Sequence, residues 1–131
     1  GPLLDRIDLH VEVPRLPPAE LRPDAPPGEA SDAIRARVEA ARAIQQQRGG
    51  CLNAQLSQAG TMQACRLQPA DQALLERAVE ALYLSARAMH RILRVARTIA
   101  DLDGSAGIAT AHLTEALGYR PAQRHDDRRA A

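Results

Sequence analysis

Apolar residues recur every three or four positions through most of the sequence between residues 31 and 118, and this spacing predicts helices with one apolar face. The first predicted helix has Ser31 or Asp32 as its N-cap and is stopped by Gly49 and Gly50. The positions on it that should face the core are Ile34, Val38, Ala41 and Ile44. A short helix carrying two leucines, Leu52 and Leu56, is predicted directly after the glycines.

The second half of the sequence predicts three further helices. Pro69 suits the first position of one helix, and its apolar residues are Leu75, Val79 and Leu82. Ser85 should cap the best-defined helix of the chain, which ends before Gly104. Its apolar side consists of Met89, Ile92, Leu93, Ala96, Ile99 and Ala100. The last helix begins at Thr110 and ends at Gly118, so the fold class is all-α, a small bundle of four or five helices.

The first thirty residues follow a different pattern. Ile7 to Val13 alternates apolar and polar side chains as a strand does, but no second strand of similar quality follows. Six of the nine prolines lie between Pro14 and Pro27, which predicts a linker. We therefore expect residues 1–30 to be a disordered strand remnant of an absent sheet plus the linker, residues 31–119 to form the helical domain, and residues 120–131 to be a flexible tail.

Composition narrows the class of protein. The chain has 131 residues, of which 45% are apolar and only 2% aromatic, so one core built from Leu, Ile, Val and Ala is expected. A net charge of +1 gives no global field that would indicate a nucleic-acid or membrane partner. The sequence shows neither a signal peptide nor a transmembrane run, which predicts a cytoplasmic protein with reduced thiols at Cys51 and Cys65.

Three arginines of the helix that Ser85 caps are candidates for binding phosphate. Arg87, Arg91 and Arg94 are separated by four and three residues, which predicts one basic stripe opposite the apolar face. The stripe could contact phosphates of ATP or DNA, or could be an ordinary solvated face, and for Arg91 and Arg94 the solvated face is favoured. Arg87 lies in the first turn, where the helix dipole disfavours a cation unless an anion binds there as well.

The remaining polar and aromatic residues predict no further chemistry. His10, His90 and His112 form no pattern typical of a metal site or a catalytic triad, and no zinc site is expected. Tyr83 and Tyr119 are expected to pack at the edge of the core.

Two stretches carry a family resemblance. The segment "GPLLDRIDLHVEVP" resembles the end of the nucleotide-binding domain in magnesium-chelatase-like AAA+ ATPases, specifically the ComM (YifB) group. The segments "LNAQLS", "LSARAMHRILRVARTIADLDG" and "HLTEALGYR" are similar to the C-terminal helical lid of the same group. The resemblance implies that the chain is a fragment of a larger ATPase.

The resemblance also implies roles for two arginines. Arg6 resembles an arginine finger that acts in the neighbouring subunit, and Arg87 resembles the sensor-2 arginine of the lid. Without the resemblance, Arg6 would be an ordinary strand-entry charge beside Asp5 or Asp8.

The resemblance also implies the cofactors and partners of the larger ATPase, which is called the parent below. ATP and Mg²⁺ are its expected cofactors, but the fragment alone should bind neither, because the Walker segments would lie upstream. The expected partners are the protein's own N-terminal AAA+ domain and neighbouring subunits in a homo-hexamer, with DNA as a further partner and no membrane. The alternatives are a helical module that binds nucleic acid or protein without nucleotide chemistry, and a subunit of a metal chelatase.

Overall fold

The computed structural model describes Leu9, Val11 and residues 30–120, and within these residues it contains five helices and no strand. The helices are α1 (Ser31–Gly49), α2 (Gln58–Ala64), α3 (Pro69–Leu82), α4 (Ala86–Leu102) and α5 (Thr110–Gly118). A single 3₁₀ turn, Asn53–Gln55, separates α1 from α2. The prediction of a small all-α bundle is confirmed.

The caps of α3 and α4 lie where the sequence predicts them. Pro69 is the first residue of α3. The Ser85 hydroxyl accepts a hydrogen bond of 3.0 Å from the Ala88 amide and so caps α4. Gly104 follows α4 with a φ of 70°, a conformation that glycine adopts without steric cost, and the Ser105 amide donates to the Ala100 carbonyl across it. These local interactions determine where α4 begins and ends.

The first helix differs from the prediction at its start and along its apolar side. Its N-cap is Ala30, which provides no side-chain cap, and neither Ser31 nor Asp32 fills that position. Ile34, Val38 and Ile44 are exposed, and only Ala41 and Gln45 are buried. The predicted apolar face is wrong for this helix, because its first ten residues are all exposed and burial begins only at Ala41.

The core surrounds α4, which contacts α1, α2, α5 and the 3₁₀ turn. Ala96 and Ala100 are completely buried, and such small side chains let neighbouring helices approach α4 closely. All six residues predicted for the apolar side of α4 belong to this core or pack against it. The buried apolar residues of the cluster are Cys65, Leu75, Ile92, Leu93, Ala96, Ala100, Ile108, Leu113 and Ala116.

Several predictions concern residues at the edges of the structure. Tyr83 is 91% exposed, so its expected packing against the core is wrong; it ends α3 in a left-handed conformation with a φ of 54°. The described residues include only Leu9 and Val11 of the predicted strand. The predicted linker up to residue 29 and the tail from residue 121 lie outside them. None of the helices between residues 30 and 120 has both the length and the apolar character needed to cross a bilayer.

The two thiols, both free, should differ in reactivity. Burial raises the pKa of the Cys65 thiol from 9.0 to about 11, and its sulfur contacts the Leu93 carbonyl at 3.5 Å, whereas Cys51 is only half-buried. A rise of about two pKa units lowers the thiolate population at pH 8 about a hundredfold. We expect iodoacetamide to alkylate Cys65 at least about a hundred times more slowly in the native chain than in urea. Mass spectrometry of Cys51→Ser and Cys65→Ser variants would assign each rate, and equal rates in both solvents would contradict the prediction.

Candidate functional site

Arg87 lies at an exposed corner of the bundle, in the first turn of α4. Its side chain is exposed, and no other residue that the structure describes forms a hydrogen bond or ion pair with it. The nearby Ser85 hydroxyl is occupied as the helix cap. The positive end of a helix dipole disfavours a cation, whereas a bound anion would interact favourably with both the guanidinium and the helix end.

The other two arginines of the predicted stripe occupy different environments. Arg91 is only 5% exposed and has an interaction partner, so its assignment to a solvated stripe is wrong. Arg94 is half-buried, and its main-chain carbonyl accepts a hydrogen bond of 2.9 Å from the Thr98 hydroxyl. A contact of Arg91 or Arg94 with phosphate or DNA stays a prediction, as does the role of Arg6, which lies outside the described residues. Arg87 alone of the three is exposed.

A buried ionic cluster on the opposite half of α4 was not predicted. It consists of Asp101, Arg48, Arg97 and Asn53, and is called the Asp101 cluster below. The two terminal nitrogens of Arg48 donate to the two oxygens of Asp101 at 2.9 and 2.7 Å. Arg97 Nε donates to Asp101 Oδ1 at 3.1 Å, and Asn53 Nδ2 donates to Oδ2 at 3.0 Å. The carboxylate is completely buried and therefore requires this set of donors.

The Asp101 cluster joins segments that are distant in the sequence. Arg48 lies in the last turn of α1, Asn53 begins the 3₁₀ turn, and Arg97 and Asp101 are one turn apart on α4. Arg97 also donates to the carbonyls of Ser105 and Ala106, in the loop that leads to α5. The cluster therefore holds the C-terminal half of α4 in place, and the N-terminal half of the same rigid helix carries Arg87.

The start of α5 forms polar contacts with α3 and with the end of α4. Asp71, in the first turn of α3, accepts a hydrogen bond from the Thr110 hydroxyl. His112 is buried, and its Nδ1 accepts from the Ala109 amide at 2.9 Å. Because Nδ1 accepts, the ring proton is assigned to Nε2, which lies 2.9 Å from a carboxylate oxygen of Asp103. His112 thus caps α5 and connects it to the end of α4.

The sequence gives only weak signals for these polar contacts. Arg97 and Asp101 have the i, i+4 spacing of a surface ion pair, which is far commoner than a buried one. Asn53 and Gln45 carry no recognisable motif, although the Gln45 side chain accepts the Asn53 amide at 2.9 Å. Among residues 30–120, no group of three His, Cys, Asp or Glu side chains could hold a metal ion.

Comparison with known proteins assigns the family. Residues 28–120 match the family described as "Magnesium chelatase, subunit ChlI C-terminal", which covers the whole bundle. The chain belongs to this family. As a member of the ChlI C-terminal family, the chain is 48% identical over 120 residues to the "Competence protein ComM" of Haemophilus influenzae, and the match covers 92% of the chain.

Two further relatives of this ChlI C-terminal family chain are similar over most of its length. The chain is 46% identical to "Uncharacterized protein YifB" of Escherichia coli, over 95% of its length, and 36% identical to "Uncharacterized protein Rv2897c" of Mycobacterium tuberculosis, over 92%. In each case the match spans 24% of the relative. The chain therefore spans about a quarter of the length of the curated relatives it matches, and the resemblance to the ComM group of magnesium-chelatase-like proteins is confirmed.

Proposed function

We propose that this bundle is the lid domain of a magnesium-chelatase-like AAA+ ATPase and that Arg87 is its sensor-2 arginine. The observation that carries the proposal is the exposed Arg87 side chain, unpaired within the described residues, on a helix whose remainder is fixed in the core. Family membership and the "LSARA" motif around Arg87 support the same role.

Arg87 has the chemistry that ATP phosphates require, but the chain has only part of an ATP site. A planar, permanently charged guanidinium at a helix N-terminus is well suited to a phosphate oxygen. The phosphate loop normally supplies a lysine and a Ser or Thr for magnesium, and this sequence has neither a Walker A motif nor any lysine. Upstream residues of the parent would therefore bind the triphosphate and Mg²⁺, and Arg87 would complete the site from the lid side.

The proposal extends to the parent as a ring-forming motor that acts on DNA. One similar protein is named a competence protein, which supports DNA as the substrate. A hexameric ring would place Arg6 against the ATP of the next subunit, where an arginine finger stabilises the charge on the transferring phosphoryl group.

The 131-residue chain alone should show no micromolar affinity for ATP. One lid arginine cannot replace the phosphate loop and the magnesium ligands, so titration calorimetry with ATP and Mg²⁺ should give no saturable heat. The full-length parent, titrated under the same conditions, should bind at micromolar concentrations. Micromolar binding by the chain alone would show that the nucleotide site had been misplaced.

DNA dependence of the parent separates the motor from its alternatives. We expect single- or double-stranded DNA to raise the ATPase rate of the full-length protein, because a motor couples hydrolysis to its track. A parent that binds DNA without hydrolysing ATP would instead be an interaction module. ATP hydrolysis that depends on a porphyrin and a metal-binding partner subunit, and not on DNA, would indicate a chelatase.

A further inference from the structure

A groove runs along the outer side of α4, beside α5. It has a volume of about 390 Å³, and the residues of α4 that line it include Val95, Ile99 and Leu102. These three have i, i+4 and i+7 spacing, so they form one apolar ridge on the helix. Leu102 is 42% exposed although it is large and apolar. Val95 and Ile99 also pack against the core, so the part of the ridge left for an apolar partner is centred on Leu102.

Leu9 and Val11 line the same groove. They are two positions apart, and in an extended chain such residues point to the same side. The strand pattern of the sequence places Leu9 and Val11 on its apolar side, opposite His10. Two residues of a strand span about 7 Å, which fits the ridge from Val95 to Leu102, about 10 Å long.

A polar atom in the wall of the groove also requires a partner. Arg94 lines the groove, and its Nε is buried with no hydrogen-bond acceptor among the described residues. A buried donor without an acceptor costs about 1 to 3 kcal/mol. Leu9 and Val11 do not supply the acceptor, so a main-chain carbonyl elsewhere on the N-terminal segment would have to accept from it.

We propose that the groove on α4 is the docking site for the N-terminal segment of this same chain, held by the side chains of Leu9 and Val11. The strand was expected to be disordered for lack of a sheet, but its apolar side does not need a sheet in order to be covered. Leu9 is 50% and Val11 62% exposed, so the contact is partial and can be reversed.

The docked segment would connect the two arginines of the proposed function, and this consequence rests on that function. Arg6 lies three residues before Leu9, and Arg87 lies on the helix that forms the groove. Docking at Leu9 would therefore tether Arg6 within three residues, roughly 10 Å of extended chain, of the helix that presents Arg87 to ATP. The docking itself needs no nucleotide and stands or fails independently.

Methyl-labelled NMR of the full 131-residue chain tests the docking without nucleotide. We expect cross-relaxation between the methyl groups of Leu9 or Val11 and those of Val95, Ile99 and Leu102. In the Leu9→Ser/Val11→Ser double variant these signals should disappear and the groove methyl shifts should change. The methyl shifts of Leu113, in the core, should stay unchanged, which shows that the bundle is still folded.

The matched control is His10→Ser, which changes the opposite side of the same segment and should preserve every contact. An absence of contacts in the native chain, or equal losses in the control, would overturn the proposal. A mixed sample of differently labelled chains shows whether the contacts join two molecules; if they do, the groove binds a second copy and the intramolecular docking is wrong. If the methyl contacts are observed but the full-length parent neither binds nor hydrolyses ATP, only the proposed function is refuted and the docking proposal stands.

Discussion

Replacing Arg87 by alanine in the full-length parent should abolish most ATP turnover and leave the bundle folded. If Arg87 stabilises charge on the phosphates, its loss should slow turnover about 10²- to 10³-fold, as the removal of one preorganised donor does elsewhere. Its side chain is exposed and unpaired within the described residues, so the stability should change by no more than about 0.5 kcal/mol. Steady-state ATPase rates measured beside thermal melts separate the two effects.

The matched control is Arg77→Ala. Arg77 is an exposed arginine of α3, and no residue described by the structure pairs with it. This variant should keep both the rate and the melting temperature of the parent. Near-normal turnover in the Arg87 variant would contradict the sensor-2 role and leave Arg87 as a solvated residue at a helix start.

The companion variant, Arg6→Ala, should lose about 10³- to 10⁵-fold in rate if Arg6 is an arginine finger that acts between subunits. Mixing it with subunits whose Walker lysine is disabled should restore part of the activity, because one mutant supplies the finger and the other supplies the intact pocket. If no mixing ratio restores turnover despite proven co-assembly, the finger assignment is wrong.

Removing the charge of Asp101 should destabilise the bundle by about 3 to 5 kcal/mol. Asp101→Asn keeps the size of the side chain but leaves Arg97, only 4% exposed, as a buried cation without its carboxylate partner. Urea unfolding followed by circular dichroism measures the loss. Many domains are stable by only about 5 to 15 kcal/mol, so the effect is a large fraction of the total.

Two further variants keep this prediction testable if Asp101→Asn does not fold. Arg48→Met should cost less, because the Arg48 side chain is 27% exposed and water can replace part of its pairing. Glu80→Gln removes an exposed carboxylate of α3 and should be neutral. A loss below about 1 kcal/mol for Asp101→Asn would show that the buried ion pair contributes little to the stability of the bundle.

The sequence predicts helix ends best where a side chain or a backbone conformation determines them locally. Ser85 accepts its amide hydrogen bond, Pro69 begins α3, and Gly104 adopts the left-handed conformation that its position predicts. The predicted cap of α1, Ser31 or Asp32, is wrong by one or two residues, because Ala30 caps the helix without any side-chain interaction. Such a cap leaves no signature in the sequence.

Burial of charged residues could not be predicted from periodicity. At about 100° per residue, Asp101 lies far from the apolar side of α4, which normally indicates exposure to water. Residues of α1 and the 3₁₀ turn cover that side, and their polar groups satisfy the carboxylate. Arg91 is buried on another side of the same helix. A central helix is surrounded by its neighbours, and no single segment of sequence shows which neighbours they are.

The exposed first half of α1 can add length to the predicted linker that connects the bundle to the preceding part of the chain. Residues 31–40 are all exposed, so packing does not hold them in helical form. Isolated helices shorter than about 12 residues are marginal in water, so only continuity with the packed second half of α1 keeps this half helical, and it can unwind from its first residue. Ten residues measure about 15 Å as a helix and about 33 Å when extended. Unwinding would therefore lengthen the connection by about 18 Å, and the ionic contacts around Asp101 would remain in place.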